Sequence, residues 1–317
     1  MPLSQYLASP ERVSGNPVVV ELLEGLTAPQ KYINPKFLYD ERGSELFHLI
    51  TRLTEYYPSR TERQILQDNA RAIAESIGRG SVLIEPGAGS CEKVKYLLDD
   101  LAPAAYVPQD ISAEHLLSSV SVLGQSYPWL KVYPVIGDFS GSIDLPEALP
   151  EGRKVVFYPG STIGNFEPEQ AACFLRDMRE LIGETGGLLI GVDLQKDPAI
   201  LHAAYNDAAG VTAAFNLNVI ANVNRILGTD IALDAFSHEA FYNTNENRIE
   251  MHLVSHQNKT TYCNGTHLHF RKGEAICTEY SYKYTLDSFD QLAEKAGFMR
   301  RTSWLDGSRY FAVHYYV

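Results

Sequence analysis

Clustered positive charge is what this chain most lacks: 27 Lys and Arg stand against 39 Asp and Glu, for a formal net charge of −12. Binding to a phosphate backbone needs Lys and Arg gathered on one face, so a nucleic acid is excluded as the main partner. The four cysteines (Cys91, Cys173, Cys263 and Cys277) are scattered without a C-x-x-C pair. That excludes a cysteine zinc site and fits a reducing cytoplasm. No apolar run approaches membrane-spanning length, and Met1-Pro-Leu-Ser-Gln-Tyr6 has neither the basic nor the apolar part of a secretory leader. The expectation is a cytoplasmic protein with no membrane partner. Internal repeats and low-complexity segments are absent, and Gly160-Ser161 does not complete the G-x-S-x-G of a nucleophile elbow. His252, His256, His267 and His269 share one region, but no carboxylate or cysteine has matching ligand spacing, so no metal is expected.

What is present begins with composition: 317 residues, 45% hydrophobic and 21% charged, enough for one large soluble domain or two ordinary ones. The chain is organised around Ser81-Val-Leu-Ile-Glu-Pro-Gly-Ala-Gly-Ser90. Val82, Leu83 and Ile84 read as a buried strand, and Gly87 and Gly89 permit a sharp turn and a close backbone approach to a ligand. Glu92 to Leu101 has helical spacing, with Val94, Leu97, Leu98 and Leu101 on one face. Strand, glycine turn and helix present backbone N–H groups to a nucleotide-like ligand. The third glycine of a dinucleotide fingerprint is missing. Asp110, 25 residues after Glu85, ends the next candidate strand, where an acid can accept hydrogen bonds from both ribose hydroxyls. This spacing suits NAD or S-adenosylmethionine.

From about 61 to 195 the chain alternates. Helix 61–77 leads to a strand at 82–85, helix 92–102, a strand at 105–110, helix 112–126 and a strand at 130–136. A strand at 155–158, a loop at 159–165, helix 167–182 and a strand at 188–193 follow. Such alternation predicts a doubly wound α/β sheet, with ligands at the carboxyl ends of the strands. Glu85, Asp110, Asp138 and Asn165 all fall at or just after such ends. Before this stretch come a helix from Gly43 to Leu53 and a capping box of Ser59 with Glu62. After it, residues 196–283 interrupt the pattern with helices over 205–215 and 216–225. Strands at 240–243, 248–254, 265–270 and 276–282 complete this insertion, which reads as a lid carrying substrate residues. A helix at 287–296 and an antiparallel hairpin around Asp306-Gly307 close the chain, an ending that resembles class I methyltransferases rather than dehydrogenases.

Several long runs resemble the histidine-specific Nα-methyltransferases of ergothioneine biosynthesis, which make hercynine. They are Lys36-Phe-Leu-Tyr-Asp40, Ile50-Thr-Arg-Leu-Thr-Glu-Tyr-Tyr-Pro-Ser-Arg-Thr-Glu62, Gly160-Ser-Thr-Ile-Gly-Asn165, Tyr205-Asn-Asp-Ala-Ala-Gly-Val-Thr-Ala-Ala-Phe-Asn216, Asn247-Arg-Ile-Glu-Met251 and Thr278-Glu-Tyr-Ser-Tyr-Lys283. They occur in family order over nearly the whole chain. The resemblance implies a Rossmann-like class I methyltransferase core, here 61–195 with 284–317, and an inserted α+β substrate domain, 1–60 with 196–283. It implies S-adenosylmethionine as cofactor, with Gly87 and Lys93 at its methionine part, Asp110 at the ribose, and Asp138 and Phe139 at the adenine. For the substrate it implies Asn165 and Tyr205 at the carboxylate, and Tyr56, Glu279 and Ser281 at the imidazole. Tyr39 lies near the reacting amine, and Met251 counts with the substrate residues. Tyr39 and Asn165 are the expected catalytic pair, and a monomer acting on a small amino acid is the expected assembly.

The residue types suit that chemistry. Methyl transfer from a sulfonium is an in-line displacement by a neutral amine, so positioning carries much of the rate and no metal is required. A tyrosine hydroxyl is a poor base at neutral pH, so Tyr39 reads as an orienting partner. Glu279 can accept from a ring N–H, while a hydroxyl at Ser281 or Tyr56 serves either ring nitrogen. On a strand Glu279 and Ser281 face one side. The rival readings are a sister N-methyltransferase acting on a tryptophan derivative, a methyltransferase fold without turnover, and a nicotinamide dehydrogenase. An exposed strand acid is the plain alternative for Glu279, helix-surface charge for Lys93 and Lys95, and solvated or capping roles for Asn216, Asn218, Asn222 and Asn224.

Overall fold

A computed structural model describes residues 16–137 and 143–317. The chain opens with α1 (Pro17–Thr27), where Asn16 accepts from the Val18 N–H and Pro17 fills a first-turn position that needs no amide hydrogen. Next, α2 (Glu41–Ile50) is capped by Asp40, whose Oδ1 accepts from the Gly43 N–H at 2.8 Å. The following helix, α3 (Tyr57–Ile77), starts earlier than the expected box at Ser59. Pro58 is tolerated in its first turn, so Tyr56 takes the cap position with no side-chain cap bond, and Glu62 is buried instead of capping.

There follow β1 (Val82–Pro86), α4 (Lys95–Leu101), β2 (Ala105–Asp110), α5 (Ala113–Ser126), β3 (Val135–Ile136), β4 (Lys154–Tyr158), α6 (Pro168–Ile182) and β5 (Gly187–Asp193). Then come α7 (Pro198–Tyr205), α8 (Val211–Leu227), β6 (Phe236–Asn243), β7 (Arg248–Ser255), β8 (Lys259–Cys263), β9 (Thr266–Phe270) and β10 (Ala275–Tyr282). The chain finishes with α9 (Leu286–Lys295), β11 (Arg300–Leu305) and β12 (Phe311–Tyr316). The strand expected over 130–136 shrinks to β3 and a lone bridge at Val132, because Pro134 cannot donate to a ladder. The helix expected over 205–215 is broken before α8, where Asp207 accepts from the Val211 and Thr212 N–H groups. The unexpected β8 pairs with β9 across Asn264-Gly265, both at positive φ, a hairpin turn that the Asn-Gly dipeptide itself signals.

The chain forms two compact units. One comprises Thr54–Leu201, Asn243–Arg248 and Tyr280–Val317; the other comprises the stretch ending at Leu53, with His202–Tyr242 and Ile249–Glu279.

In the first unit a seven-stranded sheet runs in the order β11-β12-β5-β4-β1-β2-β3. Pairing is parallel from β5 to β3, and β12 lies antiparallel between β5 and β11. This is the Rossmann-like class I methyltransferase sheet. Alternate side chains feed two layers. Val82, Ile84, Val156, Tyr158, Leu188 and Ile190 pack with Phe174, Leu175 and Met178 of α6 and with Phe289 of α9. Leu83, Val155, Phe157 and Leu189 pack with Ile65, Leu66 and Ile73 of α3 and with Leu97 and Leu98 of α4. Both faces are covered, as a parallel sheet requires, so the polar groups collect where the strands end.

In the second unit a three-stranded sheet, β10-β7-β6, and the β8–β9 hairpin accompany α1, α2 and α8. The asparagines of α8 are ties rather than solvated groups. Asn222 donates to Phe37 O at 2.8 Å and Asn218 to Asp40 Oδ1 at 2.7 Å. Asn216, fully buried, donates to His238 Nδ1 and His252 O and accepts from Thr278 Oγ1 at 2.6 Å. Only Asn224 serves as expected near a cap, accepting from Thr229 and Ile231 beyond the helix end.

Candidate active site

The site expected from the sequence has members in both units. In the first, β1 ends on a loop held open by positive φ at Gly87 (+68°), Gly89 (+51°) and Cys91 (+53°). A Cβ at Gly89 would meet nothing within 4 Å, so this loop borders open space. Asp110 spans the turn: Oδ2 accepts from the Gly89 N–H and Oδ1 from the Ser112 N–H, each at 2.9 Å. The carboxylate is thereby fixed at the strand ends with acceptor capacity to spare. Beneath it Glu85 is 2% exposed and accepts from Tyr106 Oη at 2.5 Å. Burial pushes the Glu85 carboxyl up to about 8, against the opposing pull of Tyr106 and Lys93.

Lys93 is not the helix-surface charge its sequence position suggests. Its ammonium donates to buried Glu62 at 2.6 Å, and the other Glu62 oxygen accepts from the Gly160 N–H. Lys95 pairs instead with exposed Glu92 at 2.6 Å. Past Gly160 the chain turns through Ser161 (φ +57°), whose Oγ accepts from the Asp193 N–H, into a short 3₁₀ turn, Thr162–Asn165. Asn165, which ends that turn, is partly exposed, as is Tyr56 at the start of α3.

Ser281 is 4% exposed and accepts from Lys283 Nζ at 2.7 Å. The same ammonium reaches Asp193 Oδ2 at 2.8 Å, Lys196 reaches Oδ1 at 2.7 Å, and Tyr57 Oη donates to both oxygens at 2.8 Å. Burial alone would push the Asp193 carboxyl up, but the two ammonium groups bring it below its ordinary value. Burial drives Lys196 the other way, down to about 8. Sequence reasoning missed Glu62, Asp193, Lys196 and Lys283 as a group. Lys283 carried a signal, since it lies two residues past Ser281 and directly after the end of β10.

In the second unit Tyr39 follows the 3₁₀ turn Pro35–Leu38, edge-on to Phe47 and Phe215 at centroid distances of 5.4 and 5.5 Å. Tyr205 ends α7, 6% exposed, and its carbonyl lies 2.9 Å from His238 Nε2. Because Asn216 donates to His238 Nδ1, the network assigns the proton to Nε2, which donates to Tyr205. Burial lowers the His238 pKa, in keeping with a neutral ring. Met251 on β7 is 1% exposed and Glu279 on β10 is 7% exposed, so Glu279 is no exposed strand acid. Thr278, its neighbour, bonds to Met251 O and to Asn216, which holds this part of β10 to β7 and α8. Among the described residues no group of His, Cys, Asp or Glu is arranged to hold a metal ion; His267 and His269 stack in a near-parallel pair instead. Asp138 and Phe139 lie outside the described residues.

Comparison with known proteins adds to this geometry. The family described as histidine-specific methyltransferase, SAM-dependent, matches residues 18–317. A histidine N-alpha-methyltransferase from Mycolicibacterium smegmatis is 40% identical over 309 residues, covering 95% of this chain and 94% of that protein. Ergothioneine biosynthesis protein 1 from Neurospora crassa is 32% identical over 86% of this chain, which spans 32% of that longer protein. A 4-dimethylallyltryptophan N-methyltransferase from Claviceps purpurea is 30% identical over 58% of each chain.

Proposed function

Because the chain belongs to the family of histidine-specific, S-adenosylmethionine-dependent methyltransferases, we propose that it places three methyl groups on the α-amine of L-histidine, giving hercynine. The observation that carries this reading is the family match along residues 18–317, joined by 40% identity to a histidine N-alpha-methyltransferase of similar length.

The residues fit the cofactor. The open space over Gly89 admits a ligand against the backbone, and Asp110 offers the acceptors a ribose diol needs. Gly87 and Lys93 would hold the methionine end, Asp110 the ribose, and Asp138 with Phe139 the adenine. Bound S-adenosylmethionine supplies a sulfonium-activated methyl group for in-line displacement, which leaves positioning to the protein. Asn165 and Tyr205 hold the substrate carboxylate, and Tyr39 orients the amine. Glu279, Ser281 and Tyr56 take the imidazole, with Met251 beside them. The unit built from the stretch ending at Leu53, His202–Tyr242 and Ile249–Glu279 supplies much of the substrate domain in this reading. A net charge of −12 suits a small-molecule enzyme free of nucleic acid, and the protein acts as a cytoplasmic monomer. Among the described residues no helix is long and apolar enough to cross a membrane.

A tryptophan derivative is the second reading, favoured by the Claviceps relative. Glu279 can accept from the N–H of either ring, but the hydroxyls of Ser281 and Tyr56 favour imidazole, whose second nitrogen accepts a hydrogen bond where an indole has none. Mass spectrometry of the protein incubated with S-adenosylmethionine and the twenty amino acids separates these. Three methyl additions on histidine alone are expected. Methylation of a different amino acid would keep the cofactor and remove the imidazole pocket.

A further inference from the structure

Glu62 has no part in the chemistry above, yet three chain segments converge on it. It lies on α3, 1% exposed, with both oxygens engaged: Oε2 by Lys93 Nζ at 2.6 Å and Oε1 by the Gly160 N–H at 2.7 Å. Two glycines make its space. A Cβ at Gly191 on β5 would stand 2.0 Å from Glu62 Oε1, and one at Gly160 would stand 3.0 Å from Lys93 Nζ. A buried charge is unfavourable unless paired and hydrogen-bonded, so the fold makes a specific arrangement to keep this one.

Lysine presents a hydrated point charge on a flexible stem, and its ammonium carries three donors. Glu62 takes one of them, while the Lys93 side chain stays 30% exposed. The anchored ammonium therefore sits at the rim of buried space with donors to offer. By charge alone Glu62 would weaken the attraction of Lys93 for another carboxylate. By geometry it would strengthen binding, because the stem is already ordered. The two effects have opposite sign, which makes them separable.

We propose that Glu62 is a positioning residue for the amino-acid end of the cofactor. It aims the Lys93 ammonium and, through Gly160, fixes the start of the loop that carries Asn165. The inference rests on the cofactor role of Lys93 proposed above.

The test is calorimetry of S-adenosylhomocysteine and of 5′-methylthioadenosine, which keeps the nucleoside and thioether without the amino-acid group. In Glu62→Gln the amide oxygen still accepts from Gly160, but the NH₂ cannot accept from Lys93. The variant is expected to bind S-adenosylhomocysteine about tenfold more weakly and 5′-methylthioadenosine within about twofold of the parent. Lys93→Met is expected to show the same selective loss. Glu62→Gln with Lys93→Met, which leaves no unpaired charge, is expected to lose no more than Lys93→Met alone. Tighter or unchanged S-adenosylhomocysteine binding by Glu62→Gln overturns the inference, as does an equal loss for both ligands. A parent protein that binds neither ligand overturns the cofactor reading, and the role of Glu62 with it.

Discussion

Lys283 Nζ stands 2.7 Å from Ser281 Oγ and 2.8 Å from Asp193 Oδ2, so one buried ammonium joins the serine assigned to the imidazole with the carboxylate that ends β5. Tyr57 and Lys196 complete the surroundings of Asp193. Asp193→Asn leaves two ammonium groups facing a neutral amide in a buried site. The expected loss is about 3–5 kcal/mol of stability, read by urea unfolding at pH 7. A variant as stable as the parent would mean that the cluster is not held by its central charge.

The same cluster responds to acid. The Asp193 carboxyl is held below its ordinary value, so its contribution is present above the unfolded pKa and is lost as pH falls through the folded one. Thermal melts taken at successively lower pH should show the parent losing stability over a range where Asp193→Asn, already without that contribution, changes less.

Glu85 gives the opposite slope. Its folded pKa, about 8, exceeds the unfolded value of 4.5, so the native state binds the extra proton between them. Stability from this group is full below about 4.5 and is lost as pH rises through 8. Glu85→Gln keeps an acceptor for Tyr106 and removes the titration. It should match the parent near pH 5 and melt at a higher temperature above pH 8. Parallel melting curves for the two proteins across that range would contradict the assignment.

Substrate choice turns on Glu279. Removing the carboxylate in Glu279→Ala should lower kcat/KM for histidine by roughly 10- to 100-fold, the worth of a hydrogen bond to a charged group. Selectivity among amino acids should relax in the same competition assay. An unchanged preference for histidine would place ring recognition elsewhere.

Asn216→Ala removes three hydrogen bonds at a fully buried position, strands His238 Nδ1 and leaves Thr278 Oγ1 only its bond to Met251 O. About 2–3 kcal/mol of destabilisation is expected, with faster amide exchange in α8 and β10 as its signature.

The sheet was legible in the sequence because buried parallel strands are short apolar runs and their connections are helical. The places of Asp110 and the glycine loop were legible because each follows an apolar strand run, and Gly87 and Gly89 supply the positive φ that the turn after β1 takes. Glu62 misled for a physical reason: Ser59 and Glu62 obey the local rule for a capping box, but burial beside Lys93 and Gly160 overrides it. Gly160 is 98 residues away along the chain, and no local pattern reaches that far. The asparagines of α8 hid their role in the same way, Asn222 bonding to Phe37 across 185 residues. The roles of Tyr39, Asn165, Tyr205 and Ser281 came from resemblance, since spacing alone distinguishes none of them from an ordinary polar side chain.

The compact unit containing α1, α2 and α8 is gathered from three separated stretches, and this sets a timetable for synthesis. Leu46 and Ile50 of α2 are buried, and the neighbouring Phe47 meets Phe215 of α8 at a centroid distance of 6.0 Å. Roughly 160 residues lie between the two helices, so at about 5–20 residues per second α2 leaves the ribosome roughly 8–30 s before its partner exists. During that interval its apolar face has only the nascent chain, or a chaperone, for company.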